Sequence, residues 1–212
     1  MIKDNLRQVQ RRIKAVDKNQ QVTLIAVSKT KPISDLQQAI DIGQHHFGEN
    51  YLQEALDKIK ALENQNLIWH FIGAIQSNKT SQIAQNFDWV HSVDRLKIAK
   101  RLNQQRSDNL TKLNVLLQIN IDNEPTKSGI FPKQIDDIIV HFSTLPNLTL
   151  RGFMCIPNPD NAKQSFAKMA NILKKYPNLD TLSMGMSHDL ELAIENGATF
   201  VRIGTDIFGK RG

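Results

Sequence analysis

The sequence predicts an α/β fold, a single (β/α)8 TIM-type barrel with an extra N-terminal helix. Three observations predict it. About eight short apolar runs of strand length recur along the 212 residues. Each run but the last leads into an amphipathic stretch of helix length. The runs are apolar at nearly every position, as strands covered on both faces must be. Alternation of this kind builds either an open doubly wound sheet or a closed barrel, and eight units favour the barrel. A Rossmann-like sheet is the alternative, but no GxGxxG follows the first run, which also argues against a dinucleotide. The length suits one domain, residues 1–212, close to the lower size limit of the barrel and therefore with short loops.

The elements follow in order. Ile2, Leu6, Val9, Ile13 and Val16 form one apolar stripe, so residues 2–18 are predicted as a helix. VTLIAVS (22–28) is the first strand, with a helix opening near Ser34 and Asp35. HHFGE (45–49) leads to a helix around 51–62, LIWHFIG (67–73) to one around 78–85, and WVHSV (89–93) to one around 94–105. LNVLLQINI (113–121) leads to a helix around 132–141, LTLRGFMCI (148–156) to one around 160–175, and LDTLSMG (179–185) to one around 188–196. TFVRIG (199–204) is the last strand.

Composition narrows the function classes. The 40% apolar and 23% charged content is that of a soluble globular protein. The net charge of +6 comes from scattered basic residues. The densest cluster, Arg11, Arg12 and Lys14, lies on the N-terminal helix and reads as a solvated surface. With no aromatic stacking motif or recognised nucleic-acid fold, a nucleic-acid partner is not expected. The single cysteine, Cys155, can form no intrachain disulfide; beside Phe153, Met154 and Ile156 it reads as a buried strand residue. No Cys/His spacing suggests a metal. The N-terminus lacks the apolar core of a secretory signal, and no run approaches the roughly 18 apolar residues of a membrane span. The expectation is a cytoplasmic protein with no membrane partner.

In such a barrel the site lies at the carboxyl ends of the strands. Lys29, directly after LIAV, is the sharpest candidate there. Enclosed, it would lose its proton readily and attack carbonyls; the alternative is a lysine in an exposed loop. Ser183, Gly185 and Ser187 before a helix, and Gly204-Thr205 after the last strand, offer backbone N–H groups to a phosphate, or are ordinary turns. Arg202 sits inside FVRIG and needs a partner if buried, either a carboxylate such as Asp206 or Glu49 or a ligand heteroatom such as a pyridine nitrogen. His70, between Trp69 and Phe71, reads as a packed, hydrogen-bonded histidine rather than a base. His45, His46, His91 and His141 show no metal spacing. Neither GxSxG nor GxxxxGK[ST] occurs.

The blocks AVSKTKP (26–32), FGENYLQE (47–54), WHFIGAIQSNK (69–79), TKSGI (126–130), RGFMCIP (151–157), LSMGMS (182–187) and VRIGTDIFGKR (201–211) together resemble the pyridoxal-phosphate homeostasis proteins. The resemblance runs in order over nearly the whole chain. It implies a barrel like the N-terminal domain of alanine racemase, with pyridoxal 5′-phosphate (PLP) at the strand ends. Lys29 would carry the internal aldimine, and Arg202 would face the pyridine nitrogen. Ser187, Gly204 and Thr205 would hold the phosphate, and Asn50 and Met154 would lie near the ring, with Ser183 and His70 also near the site. The sequence departs from the family pattern at Ala74, where a proline is usual, and at His188, where an acidic or small residue is common. It also ends at Gly212, where relatives often continue through a tyrosine.

The function implied is binding of PLP as a Schiff base on Lys29 in intracellular vitamin B6 homeostasis, with little or no turnover and no catalytic residue. PLP-dependent apo-enzymes are possible recipients, and a monomer is expected. Racemases of this fold draw a second base, a tyrosine, from a separate β domain; here the tyrosines are Tyr51 and Tyr176. The alternatives are a PLP-dependent amino-acid racemase or a PLP-free Schiff-base aldolase.

Overall fold

In the computed structural model, which describes residues 1–19 and 21–210, eight strands close on one another in chain order. They are β1 (Thr23–Val27), β2 (His46–Glu49), β3 (Ile68–Phe71), β4 (Trp89–Val93), β5 (Leu113–Gln118), β6 (Leu148–Met154), β7 (Thr181–Ser183) and β8 (Phe200–Ile203). All neighbours are parallel, and β8 returns to pair with β1, setting Arg202 beside Ile25 and Ile203 beside Ala26. Arg211, the end of the VRIGTDIFGKR block, lies outside the described residues.

The apolar side chains fall into two compartments, as the two faces of a closed sheet require. Outward-facing residues such as Ala26, Phe47, Trp69, Val90 and Val201 pack against the helices. A smaller cluster of Ile25, Trp89, Leu116, Met154 and Phe200 fills the lumen. Alternation along each strand therefore sorts the chemistry. In β8, Phe200 and Arg202 share the inner parity; in β2, Glu49 shares the outer parity of Phe47. At Gly152 in β6 a Cβ would lie 1.9 Å from the Thr181 carbonyl oxygen, and φ is +154°, so only glycine lets β6 and β7 approach there.

The helices are α1 (Ile2–Val16), α2 (Ile33–Ile40), α3 (Leu52–Ala61), α4 (Thr80–Asn86), α5 (Leu96–Gln105), α6 (Ile135–Ile139), α7 (Ala162–Leu173), α8 (Leu190–Glu195) and α9 (Thr205–Phe208). The expected helix over 132–141 is instead a short α6 between two 3-10 turns, Pro132–Gln134 and Val140–Thr144. The four-residue α9 was not expected. The stripe Ile2, Leu6, Val9 and Ile13 is buried, and α1 packs against α2, α8 and α9. No helix among the described residues is long and apolar enough to cross a membrane.

Arg12 corrects the reading of the basic cluster as a solvated surface. Its guanidinium donates to both Glu191 carboxylate oxygens (2.7 and 2.9 Å), to Asp206 Oδ2 (2.6 Å) and to the Ser187 carbonyl (3.1 Å). A planar fork with this many donors suits a multidentate role that a lysine could not fill. It ties α1 to the segments that follow both β7 and β8.

Candidate cofactor site

The carboxyl ends of the strands gather most of the residues singled out from the sequence. Lys29 is half-buried in the turn leaving β1. Both of its neighbours are fixed by one buried ionic cluster. Lys58 on α3 donates through Nζ to the Ser28 carbonyl (2.7 Å), to Glu49 Oε1 (2.8 Å) and to Glu54 Oε1 (2.5 Å). Ser28 Oγ donates to Glu49 Oε1 at 2.6 Å, and the Thr30 N–H donates to Glu54 Oε1 at 2.6 Å. Thr30 has φ +62°, a left-handed conformation that a threonine holds only when its surroundings dictate it. The turn presenting Lys29 is thus anchored on both sides. Burial pushes the Glu49 carboxyl pKa up, opposed by Lys58 and Ser28.

Arg202 occupies the inner face of β8 and is buried. Its Nη1 donates to Ser183 Oγ (2.6 Å) and its Nη2 to the Cys155 carbonyl (3.0 Å). The carboxylate partners considered from sequence are engaged elsewhere: Asp206 with Arg12, Glu49 with Lys58. Arg202 makes no ion pair among the described residues, and burial lowers its pKa. Among the described residues its hydrogen bonds go to a hydroxyl and a carbonyl, with the Asp189 carboxylate favouring its charge through space, so it is a candidate to meet a ligand.

Ser183 ends β7 and is buried, and Met154 ends β6 and belongs to the luminal cluster. Ser187 lies half-buried in the loop before α8, and Gly204 joins β8 to α9, which exposed Thr205 begins. A Cβ on Gly204 would lie 3.2 Å from the Val27 carbonyl oxygen, so a bare backbone is what fits at the seam between β8 and β1. Asn50 follows β2 and has a buried Oδ1 with no hydrogen-bond partner. With Gly73, Ala74, Asn120 and Ile156 it lines a cavity of about 300 Å³. That is the loop in which Ala74 replaces the usual proline.

His70 is not at the mouth. It lies fully buried in β3, with Nδ1 2.9 Å from His91 Nε2 and Nε2 2.9 Å from His46 Nδ1. Cys155 is buried and its thiol pKa is pushed up to about 12, mainly by burial, as expected of an inert strand-end cysteine.

Comparison with known proteins places the chain. The model of the alanine racemase N-terminal domain matches residues 1–212. The pyridoxal phosphate homeostasis protein of Escherichia coli K12 is 48% identical, over 99% of this chain and 97% of its own. The chain belongs to this family. A second pyridoxal phosphate homeostasis protein, from Pseudomonas aeruginosa, is 54% identical over 90% of this chain and 85% of its own. Among solved structures, PipY of Synechococcus elongatus with PLP bound is 34% identical and superposes with a TM-score of 0.87, covering 99% of this chain and 100% of that one. An alanine racemase from Clostridium difficile, 17% identical with a TM-score of 0.74, shares the fold over 98% of this chain and 57% of its own.

Sequence reasoning missed Lys58, Glu54 and Arg12, and treated the histidines as unrelated. The Glu54–Lys58 spacing of four on a helix was a usable signal, because such residues meet on one face. The others pair across elements distant in sequence, where periodicity is silent.

Proposed function

We propose that this protein binds PLP as a Schiff base on Lys29 and serves cytoplasmic PLP homeostasis with little or no turnover. The observation that carries the proposal is the pairing of two adjacent strands. The turn leaving β1 presents a lysine and is anchored on both sides, and β8 bears a buried arginine with no ion-paired carboxylate among the described residues. The chemistry of the residues fits the cofactor. Arg202 supplies N–H donors to a pyridine nitrogen, and a fixed cation there disfavours protonation of that nitrogen. Bound PLP supplies an electrophilic carbonyl and an electron-poor ring, and a neutral pyridine weakens the ring as an electron sink. Ser187, Gly204 and Thr205 are the candidates for the phosphate, on the two segments that Arg12 ties together. Asn50, with its unsatisfied Oδ1, and Met154 are the candidates beside the ring.

Little turnover is supported by the tyrosines. Tyr176 donates to Asp136 at 2.7 Å, and burial and that carboxylate push its pKa up to about 12. Tyr51 is exposed at the start of α3. Neither matches a racemase's second base. Release of PLP to apo-enzymes would be the useful output of such a holder.

The purified protein is expected to show a visible absorption band with PLP. Borohydride should fix it, and mass spectrometry should find the modification on the peptide containing Lys29. Lys29→Ala should lack the band. A band that survives Lys29→Ala, or robust racemisation of alanine, would overturn the reading.

A further inference from the structure

Behind Arg202 the lumen holds a polar series to which the cofactor reading gives no role as a unit. From Arg202 it runs to Ser183 Oγ (2.6 Å), on to His91 Nδ1 (2.8 Å), from His91 Nε2 to His70 Nδ1 (2.9 Å), and from His70 Nε2 to His46 Nδ1 (2.9 Å). Five residues from β8, β7, β4, β3 and β2 thus form one unbranched line across the barrel. Ser183, His70 and His91 are fully buried, and His46 is half-buried. The rings are also clamped: His91 stacks on Phe200 (5.7 Å, 21°) and His70 on Trp89 (5.8 Å, 18°).

The direction of the line follows from its donors. A guanidinium has no acceptor, so Arg202 donates to Ser183. If His91 also donated to Ser183, the buried hydroxyl proton would have no acceptor among its described partners, which is costly. Ser183 therefore donates to His91 Nδ1. His91 then carries its proton on Nε2 and donates to His70, which donates in the same way to His46. Each imidazole is neutral, consistent with the lowering of all three pKa values by burial. The far end, His46, lines a cavity of about 410 Å³ with Lys14, Asp17, Thr23 and Gln44, at the amino-terminal ends of β1 and β2.

We infer that Ser183, His91, His70 and His46 form a one-way hydrogen-bond chain that fixes the pose of the Arg202 guanidinium, making the three histidines positioning residues for the cofactor ring. Its link to PLP rests on the function proposed above. The chain itself belongs to the apo protein. An aligned series ending on a cation polarises each link, so a break far from Arg202 is felt at Arg202.

The first test needs no variant and no PLP. Long-range proton–nitrogen correlation on the histidine-labelled apo protein should show His46, His70 and His91 all as Nε2–H tautomers at pH 7. A protonated imidazolium or an Nδ1–H tautomer at His70 or His91 would overturn the inference. The second test cuts the line. His70→Phe keeps a ring but removes both bonds. The Nη1 and Nη2 resonances of Arg202, separate in the parent, should merge, and PLP should leave faster on the order of fivefold, the worth of one neutral hydrogen bond. His70→Gln, with one acceptor and one donor, should restore both. Unchanged Arg202 resonances and PLP release in His70→Phe would overturn the inference. Should His70→Phe not fold, His46→Phe at the partly exposed end takes its place with the same readouts. A parent protein that takes up no PLP would sink the proposed function, while the apo tautomers and Arg202 resonances still decide this one.

Discussion

Two buried polar systems lie on opposite faces of the same barrel wall and solve the same problem differently. Outside the wall, beneath α3, Lys58 is surrounded by the carboxylates of Glu49 and Glu54. Inside it, among the described residues, Arg202 donates its hydrogen bonds to neutral dipoles, the Ser183 hydroxyl and the Cys155 carbonyl, and the Asp189 carboxylate acts on it only through space. The first cation is compensated and serves structure. The second has no ion pair among the described residues and is the candidate for a ligand. Buried charge by itself does not mark a candidate site; buried charge without an ion-paired partner does, because its desolvation is otherwise unrecovered.

The largest test of this contrast is Lys58→Met. It strands the Glu49 carboxylate in the wall, and urea unfolding should show a loss of about 3–5 kcal/mol. Adding Glu49→Gln should recover part of it; no recovery would mean that Lys58 acts through packing alone.

The luminal system responds to pH. Burial holds His70 and His91 well below the ordinary imidazole value of 6.5. The unfolded chain takes up these protons as pH falls through 6.5, while the folded chain does not. Stability is therefore fully present above that pH and declines below it, by about 1.4 kcal/mol per pH unit for each histidine. Denaturant midpoints between pH 7 and 5 measure this slope, and His70→Phe should reduce it by one proton's share.

Arg12→Ala removes a half-exposed clasp and should cost only about 1 kcal/mol. Its larger signature should be weaker retention of PLP, read by dialysis, since the clasp joins the two candidate phosphate loops.

The smallest stability change is expected for Arg202→Met. Relief from burying an unpaired charge offsets two lost hydrogen bonds, leaving the apo protein within about 1 kcal/mol of the parent. PLP retention should nonetheless fall on the order of tenfold, the worth of one charge-assisted bond. A large apo destabilisation would show that Arg202 is structural after all.

Much of the fold was legible because strands covered on both faces must be apolar at almost every residue. Runs such as LIAV and NVLLQ leave little alternative. Most strand ends came out one or two residues too long, the fifth by three at its carboxyl end, while the fourth matched, and the 132–141 helix came out too regular. α9 escaped notice because four residues are too few to show a period. In the candidate site, Lys29 was legible from its place after a strand, and Arg202 from being a charge within one. Their surroundings were not. Lys58 reaches Ser28 thirty positions away, and Ser183 meets His91 across 92. Such partners are fixed by strand register and barrel closure, which no local pattern encodes.

The seam between β1 and β8, where Gly204 leaves room for the backbone of Val27, has a consequence for the life of the chain. The amine follows the first strand of the barrel and the guanidinium lies in its eighth. During synthesis the amine therefore waits, without its counterpart, until β8 has emerged. Under the function proposed above, capture of PLP would report that the ring of strands has shut, and a chain without β8 should be unable to give it.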